Sequence, residues 1–233
     1  MIKTIESRWG PCTFFLKDEY VGRSIYNYGE YNPDETEKII SLASGHCLDI
    51  GANIGVISMA LLASGFKVTA FEPQPAVCDL TISNCIGAKV YNSAVGASAG
   101  VTQMPRVYYS SKGNFGGLSC GTTSQYGSYE VPVMTIDSLG LDDVGFMKID
   151  VEGYEYQVLC GASETIARCK PIMYIEDDRM EKRTQLRQKI TDLGYKFEMH
   201  QPELYRENNF LGLKKNIWEP KRYASHNLIC TPC

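Results

Sequence analysis

The run Leu48-Asp49-Ile50-Gly51-Ala52-Asn53-Ile54-Gly55 limits this chain more than any other, because a short apolar segment passes through a glycine-bearing turn straight into an apolar helix. Glycines at such a junction permit positive φ and let the backbone approach a ligand closely, since no Cβ stands in the way. Glu72, in Phe71-Glu72-Pro73, ends the next strand-like run about 20 residues on, where a carboxylate can accept hydrogen bonds from both ribose hydroxyls. Turn and acid together specify a cofactor that contains a nucleoside.

The turn reads G-A-N-I-G rather than G-x-G-x-x-G, and Asp49 sets a negative charge beside it. A pyrophosphate needs a helix N-terminus free of competing anions, whereas the ammonium of a methionine moiety is favoured next to a carboxylate. S-adenosylmethionine therefore fits better than a nicotinamide dinucleotide. Asn53 has two readings, a helix N-cap or a direct cofactor contact.

Strands and helices alternate around this turn, the pattern of a mostly parallel sheet with helices on both faces. Strands are expected at 46–50, 67–71, 88–92, 146–151 and 171–175, with helices at 54–63, 75–85, 154–159 and 180–193. Leu186, Ile190 and Leu193 form one apolar stripe on the last of these, and Gly194 stops it. The stretches KFEMH and HNLICTP supply two further strands, at a sheet edge where antiparallel pairing is common. Residues 96–132, rich in Gly, Ser and Tyr, exceed an ordinary connection of about 4 to 6 residues and read as an inserted hairpin or lid. One domain over residues 1–233 is expected, with residues 1–35 as an N-terminal extension.

With 23 Lys+Arg against 27 Asp+Glu, the net charge of −4 has the wrong sign for a protein that neutralises many phosphates, so nucleic acid is not expected as a partner. No run approaches the roughly 20 apolar residues of a membrane span, and the N-terminus lacks the apolar stretch of a signal peptide, which reads as a cytoplasmic protein. The 9 cysteines are odd in number and scattered through expected strands and helices, as buried free thiols are. Cys230-Thr-Pro-Cys233 lacks the second ligand pair a closed zinc site needs.

LDIGANIGVIS, FEP, MTIDSLGLDDVGFMKIDVEGYEYQVLCGA and IMYIE follow one another in an order and spacing that resembles the FkbM-type family of S-adenosylmethionine-dependent methyltransferases, over roughly residues 28–178. The segment Lys148-Ile149-Asp150-Val151-Glu152-Gly153-Tyr154-Glu155 is the most distinctive. The resemblance implies a Rossmann-like class I methyltransferase fold, a seven-stranded sheet whose last strand is antiparallel, and transfer to a hydroxyl, often on sugars or natural products. It implies Asp49, Gly51, Asn53 and Gly55 in the cofactor loop, Glu72 on the ribose, and Asp150 to Gly153 facing methyl group and acceptor. It also implies that Tyr28-Gly29-Glu30-Tyr31 closes over the methionine end, which makes Glu30 a cofactor candidate. Ser93 and Ala94, at the end of the third strand, are placed against adenine.

Transfer to oxygen releases a proton, so a base or a metal is expected near the sulfonium. Asp150 and Glu152 leave one central strand end and Glu176 the next, an acidic rim that offers either a general base or ligands for Mg²⁺. His200 and His226 are weaker candidates for the base. Tyr residues in the insert (108, 109, 126, 129) and in the extension (20, 26, 28, 31) suit a hydroxyl-rich acceptor, favouring a small molecule or glycan. A polyketide-like metabolite and a non-catalytic binding relic are the alternatives.

Overall fold

The computed structural model describes residues 1–219 and 224–233. Its frame is a seven-stranded sheet with the spatial order β5(Lys89–Tyr91), β4(Lys67–Phe71), β3(His46–Ile50), β9(Val144–Ile149), β10(Ile172–Glu176), β12(Asn227–Pro232), β11(Tyr195–His200). All pairs from β5 to β10 are parallel, and β12 runs antiparallel to both neighbours. The reversed strand is thus the last in sequence, inserted one place in from the edge. The expected strand bounds at 46–50 and 67–71 are met without displacement.

The central strands alternate with a period of two, and both sides are covered, as parallel sheets require. Leu48, Ile50, Met147, Ile149, Met173 and Ile175 face α5(Glu155–Cys160), α6(Ser163–Cys169) and α7(Arg183–Asp192) through Val158, Ile166, Leu186 and Ile190. Cys47, Phe146 and Tyr174 face the other way, toward Ile39 of α2(Pro33–Leu42) and Ile57 and Leu61 of α3(Val56–Ala63). By the same alternation Asp49 and Lys148 belong to this second side, and the β3–β9 register sets them opposite each other. Two charges in the middle of a sheet are explained by what stands above them, described below.

Helices α2 and α6 lie outside the expected set. The start of α2 carries ordinary signals, Pro33 in the first turn followed by Asp34 and Glu35. The N-terminal extension is a hairpin of β1(Ile2–Ser7) and β2(Gly10–Phe15) followed by α1(Val21–Tyr28). Its Phe14, Phe15, Val21 and Ile25 pack with Val77 and Leu80 of α4(Pro75–Asn84) and with Phe115 of the insert. The insert has the expected hairpin, β7(Gly100–Pro105) with β8(Ser128–Met134), which β6(Ala94–Val95) extends in parallel to three strands. All the cysteines are free, five of them buried. No helix among the described residues is long and apolar enough to cross a membrane.

Candidate functional site

A cavity of about 260 Å³ opens at the C-terminal ends of β3, β4, β9 and β10, where open α/β sheets hold their ligands. Its floor is Ile50 to Asn53, Phe71 to Gln74, Ser93 to Val95, Asp150 to Glu152 and Glu176. Gly51, Asn53, Glu72, Ser93, Ala94, Asp150, Glu152 and Glu176 are thereby brought together. Glu30, Asp49 and Gly55 are not among the lining residues.

The three exceptions each have a physical reason. Gly29 ends α1 in the left-handed conformation and turns the chain, so that Glu30 is buried against Arg8 at 3.2 Å and Arg206 at 3.5 Å and accepts the Phe210 amide. The positions that reach the cavity from this segment are Tyr31, Asn32 and Glu35. Asp49 lies beneath the turn, fully buried, with Oδ2 accepting from Ser58 Oγ at 2.7 Å and Oδ1 3.5 Å from Lys148 Nζ. Its charge goes to Lys148 rather than to a ligand. A Cβ on Gly55 would collide with Cys85 Sγ and stand 3.2 Å from Thr81, so this glycine lets α3 pack on α4.

Gly51 lines the cavity, but its steric demand comes from behind. A Cβ there would run into the Asp150 carbonyl, and φ is +81°. Asn53, also at positive φ, caps no helix, since Gly55 holds the N-cap position of α3. Its amide donates to Glu72 Oε2 at 3.0 Å, and Gly116 of the insert lies so close that a Cβ would stand 2.5 Å from Asn53 Nδ2.

Glu72 is buried and accepts one backbone amide on each oxygen, from Asn53 and, at 2.9 Å, from Gln74. Burial pushes its carboxyl up to about 7 against the pull of those amides and Lys148. Each oxygen retains one lone pair for a further donor. Gln74 then ties the insert down, donating to Phe115 O at 2.9 Å and accepting from Tyr109 Oη at 3.0 Å. Ser93 Oγ lies 2.8 Å from Ala94 O and 3.0 Å from Pro132 O, so its hydroxyl is used within the protein.

Lys148 is the functional residue that sequence reasoning left out, although a lysine inside the apolar run FMKIDV marks it. It donates to Gly51 O at 2.9 Å and lies 3.3 Å from Asp150. Burial alone would lower its pKa, but Asp150, Asp49 and Glu35 outweigh that and raise it, so the ammonium stays charged. Glu35, from the unforeseen α2, stands over it. Burial and Asp150 push Glu35 up to about 7 despite Lys148, Ser225 and Asn32.

The acidic rim is real in geometry. Asp150, Glu152 and Glu176 each offer an oxygen within 4.8 Å of the others. Positive φ at Glu152 and Gly153 makes the sharp turn that lifts Glu152 over the rim, where Arg179 pairs with it. It does not cap the next helix; Glu155 Oε1 accepts the Val151 and Gly153 amides instead. Burial and Asp150 push Glu152 up to about 7, and burial with its acidic neighbours drives Glu176 well above the usual range. Three carboxylates at this spacing suit an oxygen-liganded cation, with Lys148 and Arg179 already beside two of them.

Neither His200 nor His226 lines the cavity; His200 Nδ1 lies 2.7 Å from Tyr174 Oη. Of the tyrosines expected at the acceptor only Tyr20 and Tyr31 line it, while the insert contributes Met104, Asn114, Gly116, Leu118 and Cys120. Tyr109 stacks on Phe15 at 4.5 Å, and Tyr108 and Tyr126 pack on each other at the surface. The far wall comes from the C-terminal segment through Leu204, Ala224, Ser225 and Asn227, a region without a readable motif.

Over residues 49–197 the sequence matches the family described as Methyltransferase FkbM domain. No curated protein matches it. Among solved structures, a Methyltransferase FkbM from Methylobacillus flagellatus KT superposes with a TM-score of 0.51 at 16% identity, covering 92% of this chain and 56% of that one. The chain thus spans little more than half of that protein's length. Magnesium protoporphyrin IX methyltransferase from Synechocystis PCC 6803, solved with bound SAM, gives 0.51 at 11% identity, covering 94% of this chain and 84% of that one. The tRNA (uracil-54, C5)-methyltransferase of Pyrococcus abyssi, solved with S-adenosyl-L-homocysteine, gives 0.52 at 9% identity, covering 99% and 44%. Likeness this remote carries the fold alone, the Rossmann-like class I methyltransferase architecture, and it is the match across more than half of the sequence that decides the lineage: this chain belongs to the FkbM methyltransferase domain family.

Proposed function

We propose that this protein is an S-adenosylmethionine-dependent O-methyltransferase whose acceptor is a hydroxyl of a small sugar-like molecule or glycan. One observation carries the reading: Glu72 and the Asp150–Glu152–Glu176 rim face the same cavity from adjacent parallel strand ends. Glu72 receives the ribose hydroxyls on its remaining lone pairs, and Ser93 and Ala94 flank the adenine. The methionine portion then runs over Gly51 toward Asp150. S-adenosylmethionine supplies an electrophilic methyl group on sulfur; everything else falls to the chain's own residues.

These residues hold the acceptor oxygen in line and take its proton. A carboxylate held near pH 7 by burial is matched to that task at neutral pH, because it is basic enough to accept a proton yet available unprotonated. Glu152 has this property, and Asp150 beside Lys148 keeps the charge that steadies the developing positive centre. The insert, closed onto Asn53 and Gln74, serves as acceptor platform and lid. The same three carboxylates would bind Mg²⁺ if the reaction used one, and chelation with EDTA followed by magnesium restoration tests that branch.

The test is mass spectrometry of hydroxylated acceptors incubated with the protein and S-adenosylmethionine, looking for the gain of one methyl. Glu152→Gln and Asp150→Asn should lower kcat by about 10²- to 10⁴-fold with smaller effects on cofactor affinity. Near-normal turnover in both variants removes them from proton transfer.

A further inference from the structure

Past the rim, the cavity wall presents hydrogen-bond acceptors that nothing in the protein satisfies. Asn32 Oδ1 and Glu176 Oε2 are shut off from solvent and have no hydrogen-bond partner, and both residues line the cavity. Asn32 is only 2% exposed. Its amide has one tenable orientation, since Nδ2 donates to Glu35 Oε2 and lies 3.1 Å from Ser225 Oγ, and a flipped amide would set Oδ1 against the Glu35 carboxylate. A buried acceptor without a donor costs about 1 to 3 kcal/mol.

The orphan groups belong to one continuous wall. Glu176 pairs in register with Asn227 across β10 and β12, Asn227 Nδ2 donates to Ser225 Oγ at 3.0 Å, and Ser225 Oγ donates to Glu35 Oε2 at 3.0 Å. Donors are already committed. Lys148 is taken up by Gly51 O, Asp49 and Asp150, and Arg179 by Glu152 and Asp178. Among the described lining residues six are carboxylic acids (Glu35, Glu72, Asp150, Glu152, Glu176, Asp178) and Lys148 is the one cation. S-adenosylmethionine, with a sulfonium, an ammonium and a carboxylate, brings a single net positive charge and leaves the imbalance standing.

We propose that the acceptor carries a protonated amine, bound at Asn32, Glu35 and Glu176 as an anchor while a hydroxyl of the same molecule is methylated, which makes it an amino sugar or amino alcohol. The inference rests on the O-methyl transfer reading above. An ammonium offers three N–H donors and a charge, matching two orphan acceptors and a buried carboxylate, whereas a neutral hydroxyl offers one donor and leaves the carboxylates uncompensated. Held protonated, the nitrogen has no lone pair and cannot be the nucleophile. The hydroxyl oxygen attacks the methyl carbon, the C–O bond forms as the S–C bond breaks, the electron pair goes to sulfur to give S-adenosylhomocysteine, and the hydroxyl proton passes to a rim carboxylate.

The test titrates the full chain, saturated with S-adenosylhomocysteine, with glucosamine, N-acetylglucosamine and glucose by calorimetry. Glucosamine should bind at least about tenfold more tightly than the two neutral sugars. Asn32→Ala and Glu35→Gln should each reduce that preference by about tenfold, with S-adenosylhomocysteine affinity retained as evidence of an intact fold. Equal affinity for the three sugars, or no detectable glucosamine binding, overturns the amine anchor while the methyl-transfer reading stands; so does a preference that survives both substitutions. Failure of the native protein to bind S-adenosylhomocysteine overturns the reading beneath it. Competition by Mg²⁺ for the glucosamine site, abolished by Glu176→Gln, would assign the rim to a metal and also overturn the proposal.

Discussion

Glu72 and Gly55 separate two reasons for which a residue type is required at a turn. Glu72 is buried with a free lone pair on each oxygen, so Glu72→Ala should raise the dissociation constant for S-adenosylmethionine at least about tenfold while the fold persists, because charge-assisted hydrogen bonds of roughly 1.5 to 3 kcal/mol are lost. Unchanged affinity by calorimetry would take Glu72 out of the site. Gly55→Val should act oppositely. With φ +89° and Cys85 Sγ in the path of a Cβ, the variant should melt at least several degrees lower yet bind cofactor normally in its folded fraction. A normal melting temperature with lost binding would return Gly55 to the cofactor. In sequence the two glycines of GANIG look alike, since what distinguishes them is which neighbour lies behind each. Glu30 was unreadable for a related reason: Gly29 decides whether residue 30 or residues 31 and 32 face inward. Lys148 was legible as a charge inside a central strand, and the two-residue period places it beside Asp49 and Asp150.

At the scale of elements, the parallel strands and the helix after the turn were legible because each is a continuous apolar run bounded by turn residues, His46–Ile50 and Lys67–Phe71 most clearly. Helix α2 was hidden by its mixed surface, with Glu35 and Ile39 inward and acids and lysine outward, so no apolar run announces it although Pro33 does. The C-terminal wall was hidden for a different reason. Leu204 and Ser225 reach the cavity through long-range contacts that local pattern does not encode. The insert is intermediate: its length marked it as an addition, but the residues it turns inward are Met104, Asn114, Gly116, Leu118 and Cys120 rather than its tyrosines. Replacing residues 106–127, the stretch between β7 and β8, by a short turn should leave the three-stranded sheet paired and abolish methyl transfer. Cofactor affinity should fall by about tenfold or less, since only Gly116 on Asn53 and the Gln74 contacts are lost. Transfer that persists on the same acceptor would remove the insert from acceptor binding.

For the whole molecule, the charge that matters is concentrated in the cavity rather than spread over a surface whose net charge is only −4. Glu35, Glu72 and Glu152 are each raised from an ordinary 4.5 to about 7, chiefly by burial. A carboxyl raised in the folded state contributes stability that is fully present below its unfolded value and is lost as pH rises through its folded value, because over that window the native state binds more protons than the unfolded chain. The unliganded protein should therefore lose stability from about pH 5 to about pH 8. His200 works in the opposite sense, burial holding it below its usual 6.5, so its contribution is lost as pH falls; it is one group against three. Melting temperature measured across this range should decline for the free protein, and Glu35→Gln should flatten the slope by removing one titrating group. S-adenosylmethionine should flatten it too, since its cations favour the ionised carboxylates. A melting temperature that rises steadily from pH 5 to 8 would mean that these carboxylates are ionised in the empty cavity, and the electrostatic account of the site would fail with it.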